Sequence, residues 1–333
     1  MRYCGQRPTN YGHGTRSNQL NRAKLDPQMI DVLEIQGKRS LSLDQIDNAP
    51  VAEVRDLYTS ERAYWNADPP ALASVEEFWI AGPVGDIKIR RYLPKNNQTL
   101  PCLIYLHGGG FMMGNLDTHD RIMRVLAIES KLGVVGVDYH LAPEYRFPTA
   151  LNEALAVIDY LESHGNTLGI DGTRLALGGD SAGANLAVSA TQIIHAASPS
   201  QIRYLLLYYG AFGLRNSESR RRFGDSDDGL SEEDLKYYEN CYLRTADDMQ
   251  APRYNVLAGD VSRLPSAFIG AAEYDPLLDD SLALKEHMDA AGVSSQLRIY
   301  SGVLHGFLHY GRILDKANQA LAEGANFLHR AFL

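Results

Sequence analysis

The 333-residue chain is 45% hydrophobic and 22% charged, the mix of a globular protein with a sizeable core. Its formal net charge of −9 argues against a nucleic-acid partner, because affinity for phosphate backbones rests on basic patches. No stretch approaches the roughly 18 apolar residues of a membrane span, so no membrane partner is expected either. Three cysteines (Cys4, Cys102 and Cys241) lie far apart in odd number, which fits unpaired thiols in a reducing compartment, the cytoplasm by default. The length suits one α/β domain carrying an extra lobe.

Residues 1–22 carry basic side chains but no apolar core of a secretory signal, and a disordered leader is expected there. From about Leu25 to Asn66 the apolar spacing is helical. After Pro69-Pro70, EEFWIAG and DIKIRRYLP predict two strands joined by a Gly-Pro turn. From residue 100 onward, short apolar runs alternate with amphipathic ones. Strands are predicted at CLIYLH, VVGVDY, RLALGG, YLLLYY, SAFIGAA and QLRIY, with helices at HDRIMRVLAIESK, ALNEALAVIDYLESH, AGANLAVSATQIIHAA, DSLALKEHMDAAG and ILDKANQALAEGANFLHRAF. Continuously apolar strands separated by helices indicate a mostly parallel central sheet covered on both faces. Residues 213–252 break the rhythm: they are polar, charged and too long for a simple connection, as a functional insertion or lid would be.

Gly179-Asp180-Ser181-Ala182-Gly183 reads G-x-S-x-G between a predicted strand and a predicted helix. A serine on so tight a strand-to-helix turn exposes its Oγ above the sheet edge, near the positive end of the helix. This makes Ser181 the candidate nucleophile, against the blander alternative of a Gly-rich turn with an N-capping serine. His107-Gly108-Gly109-Gly110-Phe111 follows the strand CLIYLH. Consecutive glycines let backbone N–H groups approach a developing oxyanion that a Cβ would obstruct. The candidate oxyanion hole is Gly108, Gly109, Gly110 and Ala182, with Gly108 shaping the turn. His107 is expected to support the loop rather than to act as a second base. A phosphate-binding reading fails, because Met113 stands where the last glycine of G-x-G-x-x-G would fall.

For this fold the remaining partners follow in the order acid, then histidine. Asp275 closes the strand SAFIGAAEY and precedes Pro276, at the carboxyl edge of the sheet. Asp279 and Asp280 compete with it but read as helix N-terminal charges. Of ten histidines, His305 lies in a short loop after QLRIY, where its ring can reach the serine. His305 and His309 also form H-x-x-x-H, but the glutamate of H-E-x-x-H is missing and Gly306 disfavours a helix, so no metal is expected.

These residues resemble the hormone-sensitive-lipase group of esterases, an α/β-hydrolase family, and within it the bacterial acetyl esterases. The resemblance runs from about residue 50 to the C-terminus through YLHGGGF, GNLDTHDRIMR, DYHLAPE, GGDSAGA, EYDPLLDDS and LHGFLHY. It implies Ser181, Asp275 and His305 as a triad, the 107–110 loop as oxyanion hole, and cofactor-free hydrolysis of short-chain acyl esters, acetyl to butyryl. It also implies a lid built from residues 23–75 and 213–252 over a core spanning 76–333. The chain departs from the pattern at His140, where arginine is frequent, and at Ala184, where a second glycine is frequent. Phe111, Met112 and Tyr209 are candidate pocket walls. A small acyl ester is the expected partner, and homo-oligomerisation stays open. A ligand- or regulator-binding protein on the esterase fold is the alternative, its acidic run including Asp225, Asp227, Asp228, Glu232, Glu233 and Asp234. The plainer account of that run is a solvated helix start, with Ser231 and Asp234 as a cap.

Overall fold

A computed structural model describes residues 22–39, 49–96, 98–197, 202–225 and 229–333. The expected leader up to residue 21, together with Asp227, Asp228 and Cys4, lies outside the described residues. Eight strands form one sheet: β1 (Ser74–Ala81), β2 (Asp86–Leu93), β3 (Leu100–Leu106), β4 (Gly133–Asp138), β5 (Ile170–Asp180), β6 (Ile202–Tyr208), β7 (Ser266–Tyr274) and β8 (Ser295–Leu304). Their order is β1-β2-β4-β3-β5-β6-β7-β8. β2 runs antiparallel to both its neighbours, and every other pairing is parallel. β1 and β2 form the hairpin expected around the Gly-Pro turn.

The helices are α1 (Pro27–Arg39), α2 (Val51–Asn66), α3 (Asp120–Ser130), α4 (Thr149–His164), α5 (Ala182–Ala197), α6 (Glu218–Phe223), α7 (Glu232–Tyr242), α8 (Leu278–Ala290) and α9 (Asp315–Phe332). Each face of the sheet carries its own apolar cluster. Leu151 and Ala154 of α4, Leu186 of α5 and Leu284 of α8 pack on one face. Ile122 and Leu126 of α3, Leu321 and Leu328 of α9, and Met29 of α1 pack on the other. Two-sided burial explains why β3 to β7 are apolar almost throughout rather than alternating.

Because the six strands β3 to β8 are parallel, their C-terminal ends gather Leu106, Asp138, Asp180, Tyr208, Tyr274 and Leu304 at one edge. Residues immediately after these ends are therefore neighbours although scattered in sequence. No described helix is long and apolar enough to cross a membrane. Cys102 is a buried free thiol, but Cys241 is disulfide-bonded, which corrects the expectation of three unpaired cysteines.

Candidate active site

Ser181 occupies the residue between β5 and α5, with φ of +53°. A non-glycine residue there is strained and is held in place by its surroundings. The Ser181 N–H donates to the Tyr208 carbonyl, and the Ala211 N–H donates to the Ser181 carbonyl. A Cβ on Gly179 or Gly183 would run into the Leu106 carbonyl, so only glycines let α5 pass this close to β3. The Oγ thus stands at the positive end of a 16-residue helix.

Asp275 follows β7, and His305 follows β8. His305 Nε2 lies 3.0 Å from Ser181 Oγ, and His305 Nδ1 lies 2.7 Å from Asp275 Oδ2. The other oxygen of the fully buried Asp275 accepts the Leu277 N–H at 2.8 Å. The Nδ1–H donated to a carboxylate leaves Nε2 with the lone pair that faces the hydroxyl. Three sequence-distant residues therefore make one continuous relay.

The glycine loop after β3 divides into two parts. The Gly108 N–H donates to Asp180 Oδ1 at 3.0 Å, so it is not available as an oxyanion donor, a correction to its expected place in the hole. Among the described residues, no acceptor takes the N–H of Gly109, Gly110 or Ala182. Gly109 and Gly110 have φ of +120° and +61°, and a Cβ on Gly110 would strike the Tyr238 ring. His107 stacks on Tyr139 at 4.3 Å, its Nδ1 meets the Gly108 carbonyl at 2.8 Å, and Tyr139 Oη donates to its carbonyl. Burial, reinforced by the neighbouring His119, holds the His107 imidazole down to about 3, so its ring is neutral near pH 7.

Asp280 does more than expected of a helix-start charge. It is fully buried, and its Oδ1 accepts the N–H groups of Phe212, Gly213 and Leu214 at 2.7, 2.8 and 3.2 Å. It therefore anchors the chain leaving β6. Asp279 Oδ2 accepts the Ser219 N–H. His140 is compensated as well: Glu153, wholly buried, takes its backbone N–H and meets its Nδ1 at 2.6 Å.

A cavity of about 280 Å³ opens over Ser181 and His305. Its walls include Met29 and Leu33 of α1, Tyr58 and Arg62 of α2, and Leu235 and Tyr238 of α7. Phe111 and Tyr209 line it as expected, but Met112 does not; Met113 takes that place. The reason is local: the N–H groups of Met112 and Met113 both turn back to the Gly109 carbonyl, sending Met112 into the core. Reading the motif alone missed Asp180, which binds the glycine loop, and Tyr238, which covers it. The signal for Asp180 was present, since an acid beside so buried a turn must find donors.

A family model described as the alpha/beta hydrolase fold matches residues 103–309. The chain belongs to this family. An acetyl esterase of Salmonella paratyphi B is 42% identical over 277 residues, covering 82% of this chain and 85% of that protein, and one of Salmonella schwarzengrund matches equally. An esterase of Pyrobaculum calidifontis superposes with a TM-score of 0.85 at 30% identity, covering 93% of this chain and 100% of the other. A thermostable esterase from Pseudomonas putida gives 0.86 at 26% identity over 93% and 98%. With these relatives the α/β hydrolase described here is a carboxylesterase of the hormone-sensitive-lipase type.

Proposed function

We propose that the enzyme hydrolyses short-chain acyl esters, acetyl to butyryl, with Ser181 as nucleophile, His305 as general base and Asp275 as its orienting acid. The observation that carries this reading is the relay of 2.7 and 3.0 Å, whose Ser181 and His305 line one cavity with Gly109, Gly110 and Ala182 and their unspent N–H groups. His305 takes the proton of Ser181 as Oγ attacks the ester carbonyl. The three N–H groups receive the negative charge of the tetrahedral intermediate. His305 then protonates the leaving alcohol, and water hydrolyses the acyl-enzyme through the same base. Gly108 and His107 shape the loop without touching the reacting atoms.

The segments 23–75 and 213–252 supply the lid, since α1, α2 and α7 from these segments wall the cavity. The short acyl limit follows from Phe111, which stacks on Tyr242 at 3.9 Å, and from Tyr238 over Gly110. Each methylene that fits adds about 0.8 kcal/mol, and overpacking beyond the wall costs roughly 1–3 kcal/mol. A lipase at an oil interface needs an exposed apolar docking surface. Here the apolar lid residues turn inward: Phe223 is buried, and Leu230 and Tyr238 line the cavity.

A p-nitrophenyl ester series from acetate to dodecanoate tests both parts. kcat/KM should rise over a few carbons and drop beyond about six. A fluorophosphonate should label Ser181 and stop turnover, Ser181→Ala should resist labelling, and EDTA should not lower the rate. Laurate as the best substrate would defeat the chain-length claim, and loss of activity on chelation would defeat the metal-free triad.

A further inference from the structure

Behind the glycine loop lies a buried cluster that the triad does not use. His119 leads into α3, Asp180 ends β5, and His309 follows β8. All three are at least 95% buried: their relative exposures are 0%, 2% and 5%. One donor atom from each lies within 4.8 Å of the others, and His119 Nε2 is 3.4 Å from Asp180 Oδ1.

Each ring of the cluster also meets an oxygen of Thr118. Thr118 donates its hydroxyl proton to the Asn115 carbonyl at 2.8 Å, and the same hydroxyl oxygen lies 2.8 Å from His119 Nδ1. The His309 ring donates to the Thr118 carbonyl, and its Nδ1 has no hydrogen-bond partner. The two imidazoles and the Asp180 carboxylate therefore converge, with His119 Nε2 3.4 Å from Asp180 Oδ1 and His309 Nδ1 without a partner. Leaving such groups buried and unpaired is costly.

Each group is also supported as metal ligands are: a histidine donates its far nitrogen to oxygen, and the carboxylate is itself hydrogen-bonded. Asp180 Oδ1 takes Tyr105 Oη at 2.9 Å and the Gly108 N–H at 3.0 Å. We propose that His119, Asp180 and His309 form a second site, a cradle for a borderline divalent transition-metal ion of the Zn²⁺ class, whose occupation inhibits the esterase. Two nitrogens and one carboxylate suit such ions and disfavour Mg²⁺ or Ca²⁺, which take oxygen ligands. Bonds of about 2.0–2.2 Å require the donor atoms to draw together from their present spacing. Asp180 and His309 line the cavity shared with Ser181, so an ion reaches them through the active-site mouth. Inhibition follows from the shared carboxylate. An ion that draws Asp180 inward competes with the Gly108 N–H, and the oxyanion loop loses its anchor.

The inhibitory part rests on the proposed triad, but ion binding does not, and the two are read separately. EDTA-treated protein is melted with and without Zn²⁺, titrated with Co²⁺ for the visible band of a tetrahedral site, and assayed with p-nitrophenyl acetate. Zn²⁺ should raise Tm by a few degrees and lower kcat by about 10²-fold, the scale of a lost oxyanion donor, with KM little changed. His119→Gln and His309→Gln should each lose the Tm shift and the Co²⁺ band, and Ser181→Ala and His305→Ala should keep both. Loss of binding in His305→Ala with retention in His119→Gln would overturn the proposal by placing the ion on the catalytic histidine. Absence of any shift or band in the unmutated protein at millimolar ion would overturn it too. Binding that is seen without any esterase activity would instead tell against the proposed function.

Discussion

The sheet edge and the helices that cover it are built in different ways. At the edge, Ser181, Asp275 and His305 each follow directly on a strand whose backbone is paired along its length. Their positions are set by the register of the whole sheet, with buried apolar layers on both faces. The cover is held by side chains. Arg55 of α2 reaches the Met112 and Ala142 carbonyls at 2.8 and 2.7 Å and pairs with Glu144 at 2.7 Å. Arg220 of α6 meets Glu232 of α7 at 3.3 Å, and Arg215 meets Glu239 at 2.7 Å. A backbone ladder places atoms rigidly, whereas a set of ion pairs can be remade in a new arrangement. On the proposed function, the chemistry belongs to the edge and the choice of substrate to the cover.

The contrast is tested most severely at Asp275. Asp275→Asn should lower kcat by about 10⁴, because the amide holds His305 in the wrong tautomer while the sheet stays intact. Circular dichroism and Tm should change little. A variant that keeps most of its kcat would mean that the 2.7 Å contact to His305 does not orient the base.

A smaller effect is expected from the cover. Arg55→Ala removes two hydrogen bonds to carbonyls, one of them on the glycine loop itself. Bonds from a charged donor contribute about 1.5–3 kcal/mol each when well buried, and this guanidinium is partly exposed, so less is expected. Loss of about 1.4 kcal/mol in transition-state binding is tenfold in kcat/KM. Steady-state kinetics with acetate and butyrate esters should show such a loss for both. If activity is unchanged, α2 does not steady the loop.

Much of the edge was legible in the sequence, and much of the cover was not. HGGG and GDSAG declare themselves because the turns they make are local, and a strand before each fixes where they fall. Asp275 was separable from Asp279 and Asp280 because it is the first residue beyond the apolar run of β7. What stayed hidden depends on partners far along the chain. The Gly108 N–H is spent on Asp180, 72 residues away, and nothing near Gly108 says so. Asp280 looks like an ordinary helix-start acid until its 68-residue-distant partner Phe212 is seen. Met112 and Met113 exchanged places because the turn of the loop, not composition, decides which side chain faces the cavity. The histidines of LHGFLHY part for a similar reason: after Gly306, with φ of +75°, the chain reverses and sends His305 to the serine and His309 behind the loop.

The smallest effect on catalysis, and the sharpest on stability, is expected at Asp280, where edge and cover meet. Burial pushes its carboxyl up to about 7, against the pull of Arg220 and of the three backbone N–H groups. A folded-state value above the unfolded one means that the native protein binds the proton more tightly. The stabilising contribution is therefore full below the usual carboxylate range, near 4, and is lost as pH rises through about 7. Asp280→Asn keeps an oxygen for Phe212, Gly213 and Leu214 but cannot titrate. Its kcat should change only several-fold, since helix-end charges are worth about 0.3–1 kcal/mol and the acceptor is preserved. Urea unfolding at pH 5 and pH 8 should show the native protein gaining on the variant at the lower pH. A difference that stays constant, or grows toward pH 8, would mean that the three N–H groups hold the carboxylate ionised throughout. The cover would then be fastened to the sheet by a buried charge rather than by a carboxylic acid.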